Sequence, residues 1–397
     1  MFDVAVVGLG PGGSSAAYYA AKSGAKVVAF ERRREIGIPI QCGEYLPREH
    51  MFKEILPSAR HIDLLVSYPR ELIRVRTRGV VLYSPKGKPY RDSFDGYIVD
   101  RAGFDKWLAS LAVGAGVDLR IESTVYSIRW MDGHYRLYVS SPAGKYEVDS
   151  KVVILACGAS SPLNEMVGLD KEEDPYNLSP VIQVQMAGAD VPEEDIEMYT
   201  GNEYCPGAYA WIFPRGDGFA NVGLGIRKPY LPKDKGWGIR DYLWHFIRNH
   251  PIASEKLRGA KPISIVGGLV PVGPPLKSVG RNVLLVGDAA NHVLASVGAG
   301  IPTAVIGGSL AGEVSAGYVS GDNELTLYER LWREEFGDAL DAGYKIRQAI
   351  DVLNRSDKLM EKGLELFGEQ HMSDFVRAKL SMSIRFMSWV SSIARTL

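Results

Sequence analysis

Residues 2–31 read Phe-Asp-Val-Ala-Val-Val-Gly-Leu-Gly-Pro-Gly-Gly-Ser-Ser-Ala-Ala-Tyr-Tyr-Ala-Ala-Lys-Ser-Gly-Ala-Lys-Val-Val-Ala-Phe-Glu. Residues 2–7 and 26–31 are short, apolar and rich in valine, the pattern of buried strands. The small-residue run 13–23 between them predicts a helix, which Gly24 closes as a C-cap. Gly8, Gly10 and Gly13 fall at G-x-G-x-x-G spacing. Gly8 permits the tight turn, Gly10 lets backbone approach a pyrophosphate, and Gly13 lets helix pack close to strand. The phosphates then sit at a helix N-terminus, whose free N–H groups and dipole favour anions. Glu31 follows Gly13 by eighteen residues, where a carboxylate accepts the hydroxyls of an adenosine ribose. Strand, glycine loop, helix, strand and acid in this order predict a dinucleotide cradle rather than a simple turn. The stretch does not distinguish NAD from FAD.

A second segment near residue 290 bears on that choice. Residues 282–286 (Asn-Val-Leu-Leu-Val) predict another buried strand, followed by Gly287-Asp288-Ala289, a glycine-rich stretch at 298–301 and a helical run from Thr303 to Gly317. Asp288 then stands at the carboxyl end of a parallel strand, where open α/β sheets place ligands. By itself it would serve equally as a helix N-cap. The Gly-Asp-Ala run resembles that of the p-hydroxybenzoate-hydroxylase-like flavoproteins. The resemblance implies FAD, with Asp288 on the ribityl chain and the following helix N-terminus facing the flavin ring. Residues 99–108 resemble the same family's Arg-x-x-Phe-Asp-x-x-Leu helix, which makes Arg101 an FAD contact. The plainer alternative is an exposed helix-start arginine paired with Asp105. Residues 152–158 (Val-Val-Ile-Leu-Ala-Cys-Gly) resemble the strand that ends in a glycine near the adenine side.

Composition narrows the classes. The chain has 397 residues, 46% of them hydrophobic, enough for two or three domains around a large core. Its net charge is −1, with no basic stripe interleaved with aromatics, so nucleic acid is not expected as a partner. Cys42, Cys157 and Cys205 form no C-x-x-C pair and no metal-ligand spacing, which predicts a reducing cytoplasm and no metal. A strand beginning at residue 2 predicts no signal peptide. No run of about 18 apolar residues predicts a transmembrane helix.

The expected architecture is a Rossmann-like α/β domain built discontinuously from 1–68, 98–165 and 271–322. An antiparallel-sheet substrate domain, 69–97 and 166–270, is inserted into it, and a helical segment, 323–397, follows. Runs such as Leu72-Ile-Arg-Val-Arg, Val181-Ile-Gln-Val-Gln and Ala208-Tyr-Ala-Trp-Ile-Phe alternate with period 2, as strands with one covered face do. Phe213 to Phe219 predicts a turn between two of them. From Arg377 onward the chain carries Arg377, Lys379, Arg385 and Arg395 but no acid, with apolar residues at helical spacing. Such a helix packs over the substrate channel or at a dimer contact. The alternative is that it lies on an anionic membrane surface.

Residues 206–214 read Pro-Gly-Ala-Tyr-Ala-Trp-Ile-Phe-Pro. With Gln41-Cys42-Gly43-Glu44-Tyr45 and the two nucleotide segments, they resemble the archaeal geranylgeranyl reductases over nearly the whole chain. The resemblance implies an FAD-dependent oxidoreductase that saturates isolated double bonds of geranylgeranyl chains in membrane ether lipids. Carried over position by position, it implies FAD contacts at Gly12, Gly13, Glu31, Cys42, Gly43, Tyr45, Arg101, Val125, Asp288, Gly300 and Ile301, beside Gly8 and Gly10. Tyr209, Trp211 and Phe213 share one face of a strand and suit a wall for an isoprenoid chain; ordinary sheet-core packing is the better reading for Phe213, and the pocket wall for Tyr209 and Trp211. An isolated alkene accepts hydride only with help. Tyr209 and Trp211 are candidates to stabilise the developing cation, and Cys42, Glu44 or water to donate the proton. Cys42 could instead be redox-active with Cys205, or a small buried residue.

Val222-Gly-Leu-Gly-Ile-Arg-Lys228 lacks a third glycine and reads as a strand, so no second nucleotide domain is expected. Electrons then come from transiently bound NAD(P)H or from reduced ferredoxin. The expected location is cytoplasmic, with peripheral contact at the inner face of the cell membrane as a further expectation. Two other activities fit the same fold: an aromatic hydroxylase, which leaves Pro206–Pro214 unexplained, and a non-enzymatic isoprenoid carrier. The Trp-x-Trp-x-Ile-Pro run of flavin halogenases is absent.

Overall fold

The chain passes twice between two sheets. A computed structural model describes residues 1–169, 174–232, 234–381, 384 and 388, except the side chains of 367 and 369–371. It opens with β1 (Phe2–Val7), α1 (Pro11–Lys22) and β2 (Val27–Phe30), then crosses for β3 (Tyr45–Pro47), β4 (Ile73–Tyr83) and β5 (Pro89–Val99). It returns through α2 (Arg101–Gly114) to β6 (Asp118–Arg120), β7 (Thr124–Trp130), β8 (Tyr135–Ser141) and β9 (Gly144–Leu155). A second excursion makes β10 (Leu178–Ala187), β11 (Asp195–Tyr199), β12 (Ala210–Gly216), β13 (Phe219–Gly225), α3 (Ile239–Asn249) and β14 (Lys261–Pro271). The chain comes back with β15 (Val279–Gly280), β16 (Val283–Leu285) and α4 (Ile301–Ser320), and α5 (Asp338–Leu353) and α6 (Asp357–Val376) follow.

The first sheet runs β15-β16-β9-β1-β2-β6, with β7 and β8 attached through β9. β1 pairs in parallel with both β2 and β9, and β16 in parallel with β9. Val4, Val6, Val152 and Ile154 are fully buried, as continuous apolar strands must be when both faces of a parallel sheet are covered. α1 and α4 start two residues earlier than the sequence pattern suggests. Each carries a proline in its first turn, where the missing N–H costs nothing.

The second sheet runs β14-β10-β13-β12-β11-β4-β5-β3. It is antiparallel as expected except at one seam, where β11 lies parallel to β4. The two excursions meet there. β3 pairs with β5 although it lies within the stretch 1–68 expected for the first domain. Period-2 alternation divides the faces: Ala210 and Ile212 pack toward Phe246 and Leu243 of α3, whereas Trp211 and Phe213 join the core shared with the first sheet. The turn expected between Phe213 and Phe219 links β12 to β13, and Val222–Gly225 is strand, as read from its missing glycine.

Arg377 does not belong to a free basic face. It is ion-paired with Glu54 and Asp92 and donates to the Ser93 carbonyl, which pins the end of α6 to β5. Beyond it, most of the expected amphipathic helix lies outside the described residues; Ile384 is buried. Among the described residues no helix is long and apolar enough to cross a membrane.

Candidate active site

A cleft of about 820 Å³ lies between the sheets, within the range of roughly 300–1,000 Å³ usual for ligand sites. At one end stands the glycine loop. Gly8 has φ +91°, and a β-carbon there would lie 2.5 Å from the Ala156 carbonyl oxygen; one on Gly13 would lie 1.8 Å from that of Gly8. At Gly10 a β-carbon would meet nothing within 4 Å. The outer glycines therefore close the turn, while Gly10 leaves open space at the α1 N-terminus. That is the room and polarity a pyrophosphate requires. Gly10 and Gly12 line the cleft, as do Asp288, Gly300 and Ile301 at the start of α4. A β-carbon on Gly300 would lie 3.3 Å from Asp288 Oδ1, so the aspartate sits directly against that helix N-terminus.

Glu31 accepts hydrogen bonds from the Leu9 N–H (3.0 Å) and the Arg33 N–H (2.9 Å). Each oxygen keeps a lone pair for a hydroxyl. Arg32 and Arg33, not Glu31, reach the cleft wall. Val125 does not line the cleft; its side chain lies in the sheet core with Val139 and Ile128.

The loop at 41–45 crosses the cleft floor. Arg101 is buried rather than exposed and grips Asp105 at 3.0 and 3.1 Å. Its guanidinium also draws on Cys42. Burial pushes the Cys42 thiol up, against the pull of Arg101 and of the Glu44 N–H that it accepts at 3.1 Å. A raised thiol holds its proton at neutral pH. Tyr45 stacks on Phe94 and donates to its carbonyl at 2.8 Å.

The fold bears on two sequence candidates. Glu44 is already engaged by side chains of β12 and β13. Its carboxylate is fully buried: Arg215 is ion-paired with Oε2 at 2.6 Å and donates to Oε1 at 3.0 Å, and Asn221 Nδ2 lies 3.4 Å from the same Oε2. A carboxylate gripped in this way is an acceptor. Cys205 does not pair with Cys42. Both are free, and Cys205 is buried on the α3 side of the sheet, bonded to the carbonyls of Tyr199 and Gly201 at 3.3 Å.

Tyr209, Trp211 and Phe213 also line the cleft, with ring centroids 6.0 and 6.3 Å apart along the strand. Tyr209 donates to the Val297 carbonyl at 2.6 Å, and Trp211 Nε1 donates to Asn221 at 3.0 Å. Glycines make room for these rings. A β-carbon on Gly223 would lie 2.3 Å from the indole, and one on Gly43 would lie 2.6 Å from the Phe213 ring. Away from the glycine loop the cleft becomes apolar, lined by Leu82, Met198, Ile350, Leu364, Met372 and Ile384. Sequence reading missed Asn221 and Arg215. The signal for Asn221 was a single amide in an apolar strand, opposite Phe213 in register.

A Rossmann-like sheet with a glycine loop and an aspartate-tipped second helix, opening onto an apolar cleft under a second sheet, defines an FAD-dependent oxidoreductase. Residues 2–186 match the pyridine nucleotide-disulphide oxidoreductase model, and residues 177–270 match the geranylgeranyl reductase catalytic domain. The chain is 35% identical over 378 residues to a digeranylgeranylglycerophospholipid reductase from Methanocaldococcus jannaschii, covering 93% of this chain and 91% of that one. A geranylgeranyl bacteriochlorophyll reductase-like structure from Thermoplasma acidophilum superposes with a TM-score of 0.82 at 30% identity, covering 98% of this chain and 95% of that one. A flavin-dependent brominase shares the fold alone, with a TM-score of 0.73 at 16% identity and full coverage of both chains. The chain belongs to the digeranylgeranylglycerophospholipid reductase family.

Proposed function

We propose that this reductase saturates the isolated double bonds of geranylgeranyl chains in an isoprenoid glycerophospholipid, one bond at a time, at the junction of the glycine loop and the aromatic wall. One observation carries the reading: the α1 and α4 N-termini, Cys42, Tyr209 and Trp211 all face a single cleft that continues into an apolar channel. Bound FAD, when reduced, supplies the hydride to one alkene carbon. The chain's own residues do the rest. Gly10, Gly12, Gly300 and Ile301 would hold the phosphates and the ring edge, Asp288 the ribityl chain and Glu31 the ribose. Cys42 Sγ holds the proton that goes to the other carbon, and water restores it. Positive charge building on the tertiary carbon meets the ring faces of Tyr209 and Trp211, a contact worth roughly 0.5–2 kcal/mol. Apolar residues of α5 and α6 exclude water from the channel.

The electrons come from transiently bound NAD(P)H or from reduced ferredoxin. A lipid substrate implies work in the cytoplasm with peripheral contact at the inner membrane face. The test is anaerobic. Dithionite-reduced protein is mixed with a digeranylgeranyl lipid, and flavin reoxidation and lipid mass gain are followed together. The two should rise in step; reoxidation without mass gain overturns the reading.

A further inference from the structure

We infer that Asn221 is a positioning residue that holds the Trp211 indole and the Cys42–Glu44 turn in one fixed arrangement around the reacting bond. The inference rests on the reduction proposed above. Asn221 is fully buried on β13. Its Oδ1 accepts from the indole N–H at 3.0 Å, and its Nδ2 donates to the Cys42 carbonyl at 2.8 Å and lies 3.4 Å from Glu44 Oε2. The indole can only donate and the carbonyl can only accept, so the amide has one orientation.

The same hairpin pins all three residues of the turn. Asn221 holds the Cys42 carbonyl, the Phe213 ring covers Gly43, and Arg215 pairs with Glu44. Glu44 has φ +68°, a left-handed conformation that a non-glycine residue keeps only when its surroundings enforce it. Leucine would fill the space of the amide without any polar group to satisfy. A buried amide bonded through both its oxygen and its nitrogen fixes geometry instead. It ties the turn that carries the thiol and the indole together as a single unit.

The experiment uses flavin-loaded protein with Asn221→Leu and Trp211→Phe, singly and combined. Three readouts are taken: the rate of flavin reoxidation by a digeranylgeranyl lipid, the lipid concentration at half-maximal rate, and the rate of Cys42 alkylation by iodoacetamide. Asn221→Leu should slow reoxidation about tenfold or more, since a displacement of about 1 Å costs that much. Flavin content and half-saturating lipid should stay within about twofold, and Cys42 should alkylate faster. Trp211→Phe removes the indole N–H, so the double variant should be no slower than the slower single one. Loss of affinity in step with rate, or effects that multiply, overturns the inference. If wild-type protein is not reoxidised by lipid, the proposed reaction fails instead. Alkylation then decides: faster labelling in Asn221→Leu supports positioning, and unchanged labelling refutes it. Should Asn221→Leu not fold, Trp211→Phe alone gives the same alkylation test.

Discussion

Gly308 of α4 lies so close to Gly12 of α1 that a β-carbon on Gly308 would stand 2.1 Å from the Gly12 carbonyl oxygen. One turn further on, a β-carbon on Gly312 would stand 2.4 Å from the Ala16 carbonyl oxygen. Backbone meets backbone along this seam, and it sets the two N-termini of the cofactor site side by side. Gly308→Ala should therefore force the helices apart. Overpacking of this kind costs about 1–3 kcal/mol. A lowered Tm together with reduced flavin content in the purified protein checks it; unchanged values for both would show that the seam yields.

Cys42 gives a pH prediction. Burial raises its thiol, so the proton remains in place through neutral pH. If that proton goes to the substrate, turnover stays level at neutral pH and falls as pH climbs through the raised value. Cys42→Ala should retain flavin, lose most turnover, and lack the alkaline limb that the wild type shows. An identical pH–rate profile in both proteins argues for water as the donor.

His61 links the loop after residue 56 to the helices beneath the first sheet. Its Nδ1 lies 2.7 Å from Glu335, and its Nε2 lies 3.2 Å from Glu313. Hydrogen bonds that the protonated ring donates to Glu313 and Glu335 raise its pKa to about 9. A raised histidine contributes stability that is complete below its unfolded value near 6.5 and is lost as pH rises through 9. With solvent screening at this partly exposed site, the loss should be of order 1–2 kcal/mol. Tm measured from pH 6 to pH 10 should fall in the wild type and flatten in His61→Gln.

Tyr209 separates chemistry from binding. Its hydroxyl is fixed by the Val297 carbonyl, which holds the ring against the cleft. Tyr209→Leu keeps an apolar wall but removes the π face. Hydride transfer should slow by roughly 2- to 30-fold, the rate equivalent of a lost cation–π contact, with lipid affinity almost unchanged. An equal loss in both would mean that the ring only packs.

The cradle was legible because its requirements are local. Gly8, Gly10 and Gly13 are spaced by the turn they make, and Asp288 announces itself at a strand end. Tyr209, Trp211 and Phe213 were placed on one face by period alone, and they line one wall of the cleft. The roles of Glu44 and Asn221 were not legible, because they depend on partners 171 and 179 residues away. Sequence leaves Glu44 a candidate acid in the loop near the flavin; only the fold sets Arg215 against it. The parallel seam between β11 and β4 was hidden likewise, since strand pairing across two excursions leaves no mark on either strand. Val125 was an expected FAD contact by resemblance alone, and its side chain lies in the sheet core, off the cleft.

The double excursion of the chain governs how the molecule is born. During synthesis the small-residue face of α1 waits bare until nearly three hundred further residues have emerged and α4 can cover it. With the α4 N-terminus as the second jaw of the proposed site, no nascent fragment ending before α4 would retain a flavin. Capture of the prosthetic group therefore comes late and acts as a latch, since any ligand that binds only the finished fold adds its binding energy to that fold.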